Sequence, residues 1–180
     1  ETNAHLAEEN SRLHTLVTKL SQLHPTDAPV GYLPDTAFAQ RFTYRVAKVV
    51  ENEIHKQNNV ITIDKGTKDG ILPGMGVISA TGVVGLVRYC SSNYSVVTSI
   101  LNSGFMVSSK LVRSEELGYA KWSGKDPAVI DLIDVSKYIK IHRGDSAVTS
   151  NQNAVFPPGI MVGTVLEVMV NPNQTFYNID

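Results

Sequence analysis

The side chains best able to bind a transition metal are dispersed along the chain. Imidazole and thiolate groups are the usual ligands of such metals, and they must converge at short spacing to form a site. Three of the five histidines belong to an N-terminal helical pattern and two stand alone: His5, His14, His24, His55 and His142. The one cysteine, Cys90, has the character of a small buried residue in a strand. We therefore predict neither a metal site nor a cofactor.

A serine motif invites comparison with nucleophilic catalysis. Gly144-Asp145-Ser146 is similar to the nucleophile motif of trypsin-like proteases, which need a histidine base, a buried aspartate and a reactive serine. The glycine that follows the serine in those enzymes is Ala147 here. The upstream histidine would be His55, which lies in a polar stretch typical of a solvated hairpin loop. The motif is incomplete, so we predict that the protein is not an enzyme and keep a protease as an outside alternative.

Composition excludes some classes of partner. The chain has 180 residues, of which 42% are hydrophobic, and 16 Lys and Arg against 17 Asp and Glu give a net charge of −1. A protein that binds nucleic acid through its phosphates normally carries a basic excess. No apolar run reaches the roughly 20 residues that cross a bilayer. The sequence therefore indicates a chain that folds and that does not bind nucleic acid.

The N-terminal residues 1–25 have the pattern of a coiled-coil helix. A seven-residue repeat runs from Asn3 to His24, and Pro25 ends it. We call this helix the stem, and we expect its apolar seam to mediate self-association. The seam residues are Leu6, Leu13, Val17 and Leu20. Because Asn3, Asn10 and His24 make three of the four a positions polar, a helix lying on its own barrel remains an alternative.

Residues 26–41 contain Pro29, Gly31 and Pro34 and show little periodicity, which indicates a semi-rigid linker. Beyond them, short runs of β-branched and aromatic residues alternate with turn residues every 8 to 12 positions, roughly the pattern of an all-β barrel or sandwich. The predicted strands are Thr43–Val50, Val60–Asp64, Gly76–Ser79, Val83–Tyr89, Tyr94–Leu101, Met106–Val112, Gly118–Trp122, Ala128–Ile133, Ser146–Thr149 and Ile160–Val168.

Two groups of residues in this β region are candidates for special roles. The segment Phe156-Pro157-Pro158-Gly159 joins an aromatic residue, two prolines and a glycine just before a strand, which indicates a rigid structural elbow. Aromatic side chains are enriched in protein interfaces, so we select four of them as possible partner-binding residues. They are Tyr89, Tyr94, Tyr119 and Trp122, although Tyr119 and Trp122 fit the cap of a barrel end better.

Several longer motifs in the β region occur together in one order. The first, Ile63-Asp64-Lys65-Gly66-Thr67-Lys68-Asp69-Gly70-Ile71-Leu72-Pro73-Gly74-Met75-Gly76-Val77, is similar to the stretch that follows the first hairpin in the MreC family of rod shape-determining proteins. Three more motifs match in order and approximate spacing: Gly82-Val83-Val84-Gly85, Asn93-Tyr94-Ser95-Val96-Val97, and Phe156-Pro157-Pro158-Gly159-Ile160 followed by Val162-Gly163. The resemblance covers most of the chain.

The resemblance implies a mainly β fold, in which the stem precedes two small six-stranded β-barrels. On the family pattern, residues 42–81 plus 140–180 form β-barrel 1, and residues 82–139 form β-barrel 2 as an insertion. It further implies a single transmembrane helix upstream of Glu1, which would anchor the barrels at the periplasmic face of the bacterial inner membrane.

The implied function is that of a non-enzymatic scaffold of the cell-elongation complex. MreC-like proteins self-associate as dimers or filaments, bind MreD and a class-B penicillin-binding transpeptidase, and connect indirectly to MreB. They thereby position peptidoglycan-synthesis enzymes and maintain rod shape. The alternative is a periplasmic adaptor of a different envelope complex, although adaptors usually have a longer helical hairpin than this stem.

Overall fold

The computed structural model describes residues 12–13, 42–136, 138–152, 154–169 and 176–179. The chain forms two units, Glu1–Ala47 and Lys48–Asp180. In the first unit, Arg12 and Leu13 are helical and residues 42–47 have no regular secondary structure. The rest of the predicted stem and the whole predicted linker lie outside the described residues.

The first half of the second unit forms a five-stranded antiparallel sheet. A short 3-10 helix, Thr67–Asp69, follows its second strand. The strand order is β1-β2-β5-β4-β3. The strands are β1 (Val49–Asn52), β2 (Asn58–Ile63), β3 (Gly76–Ile78), β4 (Val83–Cys90) and β5 (Ser95–Asn102).

The second half forms a seven-stranded antiparallel sheet in the order β10-β9-β6-β7-β8-β12-β11. The strands are β6 (Met106–Leu111), β7 (Leu117–Lys121), β8 (Asp131–Ser136), β9 (Ser146–Thr149), β10 (Met161–Thr164), β11 (Val168–Met169) and β12 (Phe176–Ile179).

Alternation of side chains explains why these segments are strands. In β2, Asn59, Ile61 and Ile63 are buried and the two residues between them are half-buried. Strand β6 repeats the pattern with Val107, Ser109 and Leu111. Successive side chains of a strand point to opposite faces, so this period of two buries one face of each sheet.

Each sheet has its own apolar core. The first contains Ile61, Ile63, Ile71, Val87 and Val97. The second contains Val107, Leu111, Ala120, Leu132, Val135, Ala147, Phe156 and Val165. Ile78, Val83 and Ile100 belong to strands of the first sheet but pack against the second core. The two sheets are therefore joined by apolar packing as well as by the chain.

The predicted mainly β fold is confirmed. Among the described strands both sheets are open, since β1 and β3 are the edges of the first sheet and β10 and β11 are the edges of the second. Backbone pairing within the described part of the chain therefore does not close either predicted barrel.

The barrel boundaries, with residues 82–139 as an insertion, stay a prediction, because the observed strand pairing defines sheets and not barrels. Strands β4 and β5 belong to the first sheet, whereas β9, β10 and β12 pair within the second. Ser79 N–H donates to Gly82 O at 2.8 Å, which turns the chain directly from β3 into β4. A tight antiparallel hairpin of this kind pairs consecutive strands and keeps them in one sheet.

Candidate functional site

Tyr89 and Tyr94, two of the predicted partner-binding residues, lie at the same end of the first sheet. They flank the turn between β4 and β5, and their exposed fractions are 62% and 53%. Ser91 N–H donates to Tyr94 O at 2.8 Å, and Tyr94 N–H donates to Ser91 Oγ at 3.0 Å. The hydrogen-bonded turn therefore holds both tyrosines in neighbouring positions on the surface.

A β-bulge in β4 accounts for the exposure of Tyr89. Val87 pairs with Val97 and Tyr89 pairs with Val96, so Arg88 is an extra residue without a counterpart on β5. Val87 is buried, and strict alternation would turn Tyr89 toward the same buried face. Because the bulge adds one residue, Arg88 and Tyr89 are both exposed.

Arg88 and Tyr89 also contact each other. The guanidinium carbon of Arg88 lies 5.6 Å from the centroid of the Tyr89 ring. Arg88 Nε donates to Tyr89 Oη at 3.3 Å. A cation above an aromatic face is attracted by the ring quadrupole, so this contact orders both side chains at the surface.

The 3-10 helix is hydrogen-bonded to the β4–β5 turn. Thr67 N–H donates to Ser91 O at 2.9 Å, and Lys68 N–H donates to Ser92 O at 3.2 Å. A Cβ on Gly66 would lie 2.4 Å from Ser91 O, which is closer than a carbon atom can approach. Glycine at position 66 therefore permits the close backbone contact that fixes the turn.

The turn before β3 adds two apolar side chains beside β4. Gly74 N–H donates to Val87 O and Val87 N–H donates to Met75 O, both at 2.8 Å. Leu72 and Met75, at the two ends of this turn, are 55% and 38% exposed. We call this end of the first sheet the bulge surface. It comprises Lys68, Leu72, Met75, Arg88, Tyr89 and Tyr94.

The carboxylates next to the bulge surface are engaged by neighbouring donors. Asp69 accepts a hydrogen bond from Gly66 N–H at 3.1 Å and one from Lys65 Nζ at 3.3 Å. The backbone hydrogen bond from Gly66, together with the charges of Lys65 and Lys68, lowers the pKa of Asp69. Asp64 Oδ1 accepts from Lys48 N–H at 2.7 Å. Among the described residues, no ion pair engages Lys68 or Arg88.

Tyr119 and Trp122, the other two residues predicted to bind a partner, differ in exposure. Tyr119 lies on β7 of the second sheet and is 43% exposed. Trp122 is 2% exposed, and its Nε1–H donates to Asp126 O at 2.8 Å. Trp122 is therefore buried and its indole N–H is bonded by the following loop, so of these two aromatic residues only Tyr119 is exposed to a partner.

The predicted elbow is held by a single threonine. Thr149 Oγ1 donates to Pro157 O at 2.6 Å and accepts from Ile160 N–H at 2.9 Å. Gly159 has a φ of 87°, in the left-handed region that glycine adopts without strain. Phe156 is buried, and a Cβ on Gly76 would lie 2.6 Å from its ring. The segment therefore connects the second sheet to β3 of the first; Pro158 completes the turn.

Of the predicted stem seam, only Leu13 lies among the described residues. It is helical and 46% exposed, which is consistent with a seam leucine in the absence of a partner helix. Leu6, Val17 and Leu20 lie outside the described residues, so the seam stays a prediction.

The residues of the protease alternative lie at opposite ends of β6. Ser103 N–H donates to Gln57 O at 3.0 Å, which places the loop of His55 beside the start of β6. Val112 N–H donates to Ser146 O at 2.9 Å, which places the serine beyond the other end of that strand. A six-residue strand spans about 20 Å. His55 therefore cannot act as the base for Ser146.

Asp145 of the same motif has a structural role instead. Its Oδ2 accepts from His142 N–H at 2.9 Å, and its Oδ1 lies 3.3 Å from Arg113 Nε. The carboxylate thus closes the turn before β9. Within the described part of the chain, no three His, Cys, Asp or Glu side chains are grouped so that they could hold a metal ion.

Sequence reasoning missed two features of the surface. The first is the exposed Arg88 beside Tyr89, which was missed because a bulge cannot be recognised from the alternation of residue types. The adjoining turn Leu72-Pro73-Gly74-Met75, by contrast, can be recognised in the sequence as a turn with apolar ends. The second feature is an apolar groove of about 450 Å³ in the second sheet. Its walls include Pro127, Ile130, Val162 and Leu166, and Ile100 of β5 in the first sheet completes them. The apolar run after Pro127, which was predicted to begin a strand, is the signal that could have located it.

The family model for the barrel core of the rod shape-determining protein MreC matches residues 49–180. A curated relative, the cell shape-determining protein MreC of Listeria monocytogenes, is 26% identical over 170 residues, which cover 92% of this chain and 58% of the relative. The chain spans about half the length of the curated relatives it matches.

The solved structures similar to the chain include two that bear on its fold. The crystal structure of MreC from Pseudomonas aeruginosa is 27% identical, with a TM-score of 0.69, covering 75% of this chain and 86% of that one. A complex between a penicillin-binding protein (PBP2) and MreC from Helicobacter pylori contains a chain that is 15% identical, with a TM-score of 0.53, covering 71% of this chain and 75% of that one. At that identity the second likeness shows the fold alone.

Proposed function

The chain belongs to the MreC family, and on that premise we propose that it is a non-enzymatic scaffold of the bacterial cell-elongation complex. The observation that carries the proposal is the family match over residues 49–180, which includes both described sheets. The curated relatives are named cell shape-determining proteins. The role we propose is to position peptidoglycan-synthesis enzymes and so maintain rod shape.

The partner that we propose is a class-B penicillin-binding transpeptidase. The solved complex of PBP2 with an MreC chain of the same fold supports this choice. Tyr89, Tyr94 and Tyr119 are the exposed aromatic residues that we assign to partner binding. Because a scaffold alters an enzyme only by binding one of its conformations more tightly, the transpeptidase would supply all of the chemistry.

We also propose the remaining features that the family resemblance implies. They are self-association through the stem, closure of the two sheets into small barrels, binding of MreD, and an indirect link to MreB. The location would be the periplasmic face of the inner membrane, with an upstream transmembrane helix as the anchor. Within the described residues, no helix has the length and apolar character to span a bilayer.

Self-association is tested by changing the stem seam. We expect Leu13→Asp to abolish a concentration-dependent dimer or larger species, because it places a charge in the apolar seam. Light scattering after gel filtration across a concentration series measures the mass. Arg12→Asp, which introduces the same side chain at the neighbouring helical and exposed position, is the matched control and should leave the mass unchanged.

Two results would contradict the proposal in different ways. Equal masses for Leu13→Asp and Arg12→Asp would remove the stem seam as the self-association site. Failure of the wild-type protein to bind the extracytoplasmic domain of the organism's class-B transpeptidase, measured by calorimetry, would remove the partner that we propose.

A further inference from the structure

We infer that the bulge surface docks an acidic segment of a partner protein, one that presents carboxylates beside apolar side chains. This inference rests on the proposed function, since the partner is the transpeptidase, and it adds the place and the chemistry of the contact. Four observations support it: the apolar exposure of this surface, its unpaired cations, its backbone support, and the small number of those cations.

The bulge surface carries four exposed apolar or aromatic side chains. Leu72, Met75, Tyr89 and Tyr94 are all between 38% and 62% exposed, and backbone hydrogen bonds hold their turns beside one strand. Contiguous exposed apolar side chains with a polar rim are typical of protein interaction sites. Tyrosine, methionine and arginine are the residue types enriched at such interfaces.

The charges select an acidic occupant. Elsewhere in the described structure, Lys110 is paired with Glu115 and Arg113 with Asp145. At the bulge surface the carboxylates of Asp64 and Asp69 are engaged by backbone N–H groups, whereas Lys68 and Arg88 have no ion pair among the described residues. Lys65, Lys68 and Arg88 outnumber Asp64 and Asp69 here, so the net charge of this surface is positive and complements carboxylates on the partner.

The support beneath the surface lowers the entropic cost of docking. The bulge fixes the direction of Arg88 and Tyr89, the Arg88 guanidinium lies over the Tyr89 ring, and the contact at Gly66 fixes the adjoining turn. Side chains that are ordered before binding lose less conformational entropy when the partner arrives. Fewer contacts then suffice for measurable affinity.

A protein segment fits this surface better than an anionic lipid surface does. Recognition of acidic lipids normally uses clusters of about four to eight Lys and Arg. The bulge surface offers two cations without an ion pair, Lys68 and Arg88. Its tyrosines and arginine are instead the side chains that supply most of the binding energy at protein interfaces.

The test measures binding of the transpeptidase's extracytoplasmic domain to four variants. We expect Arg88→Glu and Tyr89→Ala each to raise the Kd about tenfold or more. Matched controls are Arg143→Glu and Tyr138→Ala, which change an exposed arginine and a 94% exposed tyrosine on a loop of the second sheet. Both controls should bind as the wild type does. Thermal unfolding of every variant shows that the fold is kept.

Each outcome has a distinct meaning. Wild-type binding that weakens only in Arg88→Glu and Tyr89→Ala supports the inference. Wild-type binding that neither change weakens overturns the inference and leaves the proposed function standing, whereas no wild-type binding overturns the proposed partner. A third result would assign the surface to lipid and overturn the inference. In that case the wild type does not bind the transpeptidase but sediments with phosphatidylglycerol vesicles, and Arg88→Glu no longer sediments with them.

Discussion

Single polar side chains complete the backbone hydrogen bonding at the turns of both sheets. Asp69 accepts from Gly66 N–H, Asp145 accepts from His142 N–H, and Thr149 bonds both sides of the elbow. Side chains that bond to nearby backbone groups in this way favour turns. Two residues of the motif that suggested a protease therefore have a structural explanation: Asp145 closes a turn, and Ser146 begins the strand that follows.

The lowered pKa of Asp69 predicts a pH dependence of stability. A carboxyl group whose pKa in the folded state lies below its ordinary value of 3.8 stabilises the fold above that value. The contribution is lost as the pH falls through the folded-state pKa. We therefore expect Asp69→Asn to be less stable than wild type at pH 6, with the difference shrinking below about pH 4.

Urea unfolding at a series of pH values measures this difference, and an NMR titration of the Asp69 carboxyl gives its midpoint directly. A stability difference that is the same at pH 3 and pH 6, or a midpoint at or above 3.8, would contradict the prediction.

At the scale of elements, hairpins are joined by buried amides. Asn59 is fully buried: its Oδ1 accepts from Lys56 N–H at 2.8 Å, and its Nδ2–H donates to Leu101 O at 2.7 Å. One side chain thus closes the β1–β2 turn and attaches it to the end of β5. Asn102 adds a second link, because its Nδ2–H donates to Asn59 O at 3.4 Å.

We expect Asn59→Ala to cost about 1 to 3 kcal/mol of unfolding free energy, because it leaves Leu101 O and Lys56 N–H without their partner. Urea unfolding measures the loss, and faster hydrogen exchange at the Lys56 amide locates it. Asn58→Ala, at the exposed neighbouring position, is the matched control and should change stability by less than about 0.5 kcal/mol. Equal losses in the two variants would show that the buried amide is not what holds the hairpin.

The bulge in β4 shows what an element adds beyond its residue types. The run Leu86-Val87-Arg88-Tyr89 alternates as an ordinary strand, and strict alternation would place Val87 and Tyr89 on one face. The shifted pairing with β5 exposes Tyr89 while Val87 stays buried. The identity of Tyr89 as a candidate could be predicted, but the reason for its exposure could not.

At the scale of the whole molecule, the two sheets share close contacts. A Cβ on Gly76 would lie 2.6 Å from the Phe156 ring, and a Cβ on Gly82 would lie 2.3 Å from Met161 O. Glycine at these two positions lets β3 and the following turn approach the second sheet closely. Ile78, Val83 and Ile100 complete the shared packing.

Because of this shared packing, we expect Phe156→Ala to destabilise both sheets together, by about 3 to 5 kcal/mol. The change removes a ring that is 2% exposed and packs against both β3 and the second core. Hydrogen exchange at Val97 and at Val135, one in each core, measures the two sheets separately. Tyr138→Ala, which removes an exposed ring, is the control. Loss of protection from hydrogen exchange at Val135 alone would mean that the sheets unfold independently.

Much of the strand content could be predicted because burial of one face requires a period of two. The predicted Val83–Tyr89, Tyr94–Leu101 and Ser146–Thr149 correspond closely to β4, β5 and β9. Strand β12, Phe176–Ile179, was not predicted, since its few residues carry little periodic signal. The sequence left two assignments open for Trp122, because an amphipathic indole suits an interface as well as a core.

The order of hydrophobic and turn residues determined the mainly β fold, and the joint motifs determined the family, because both are local properties of consecutive residues. The partition of strands between the sheets, the burial of Trp122 and the exposure of Tyr89 were decided only by the tertiary structure. These depend on pairing register and on contacts such as that of Gly76 with Phe156, which join residues far apart in the chain. Local patterns do not encode which distant strands meet or where a bulge shifts their register.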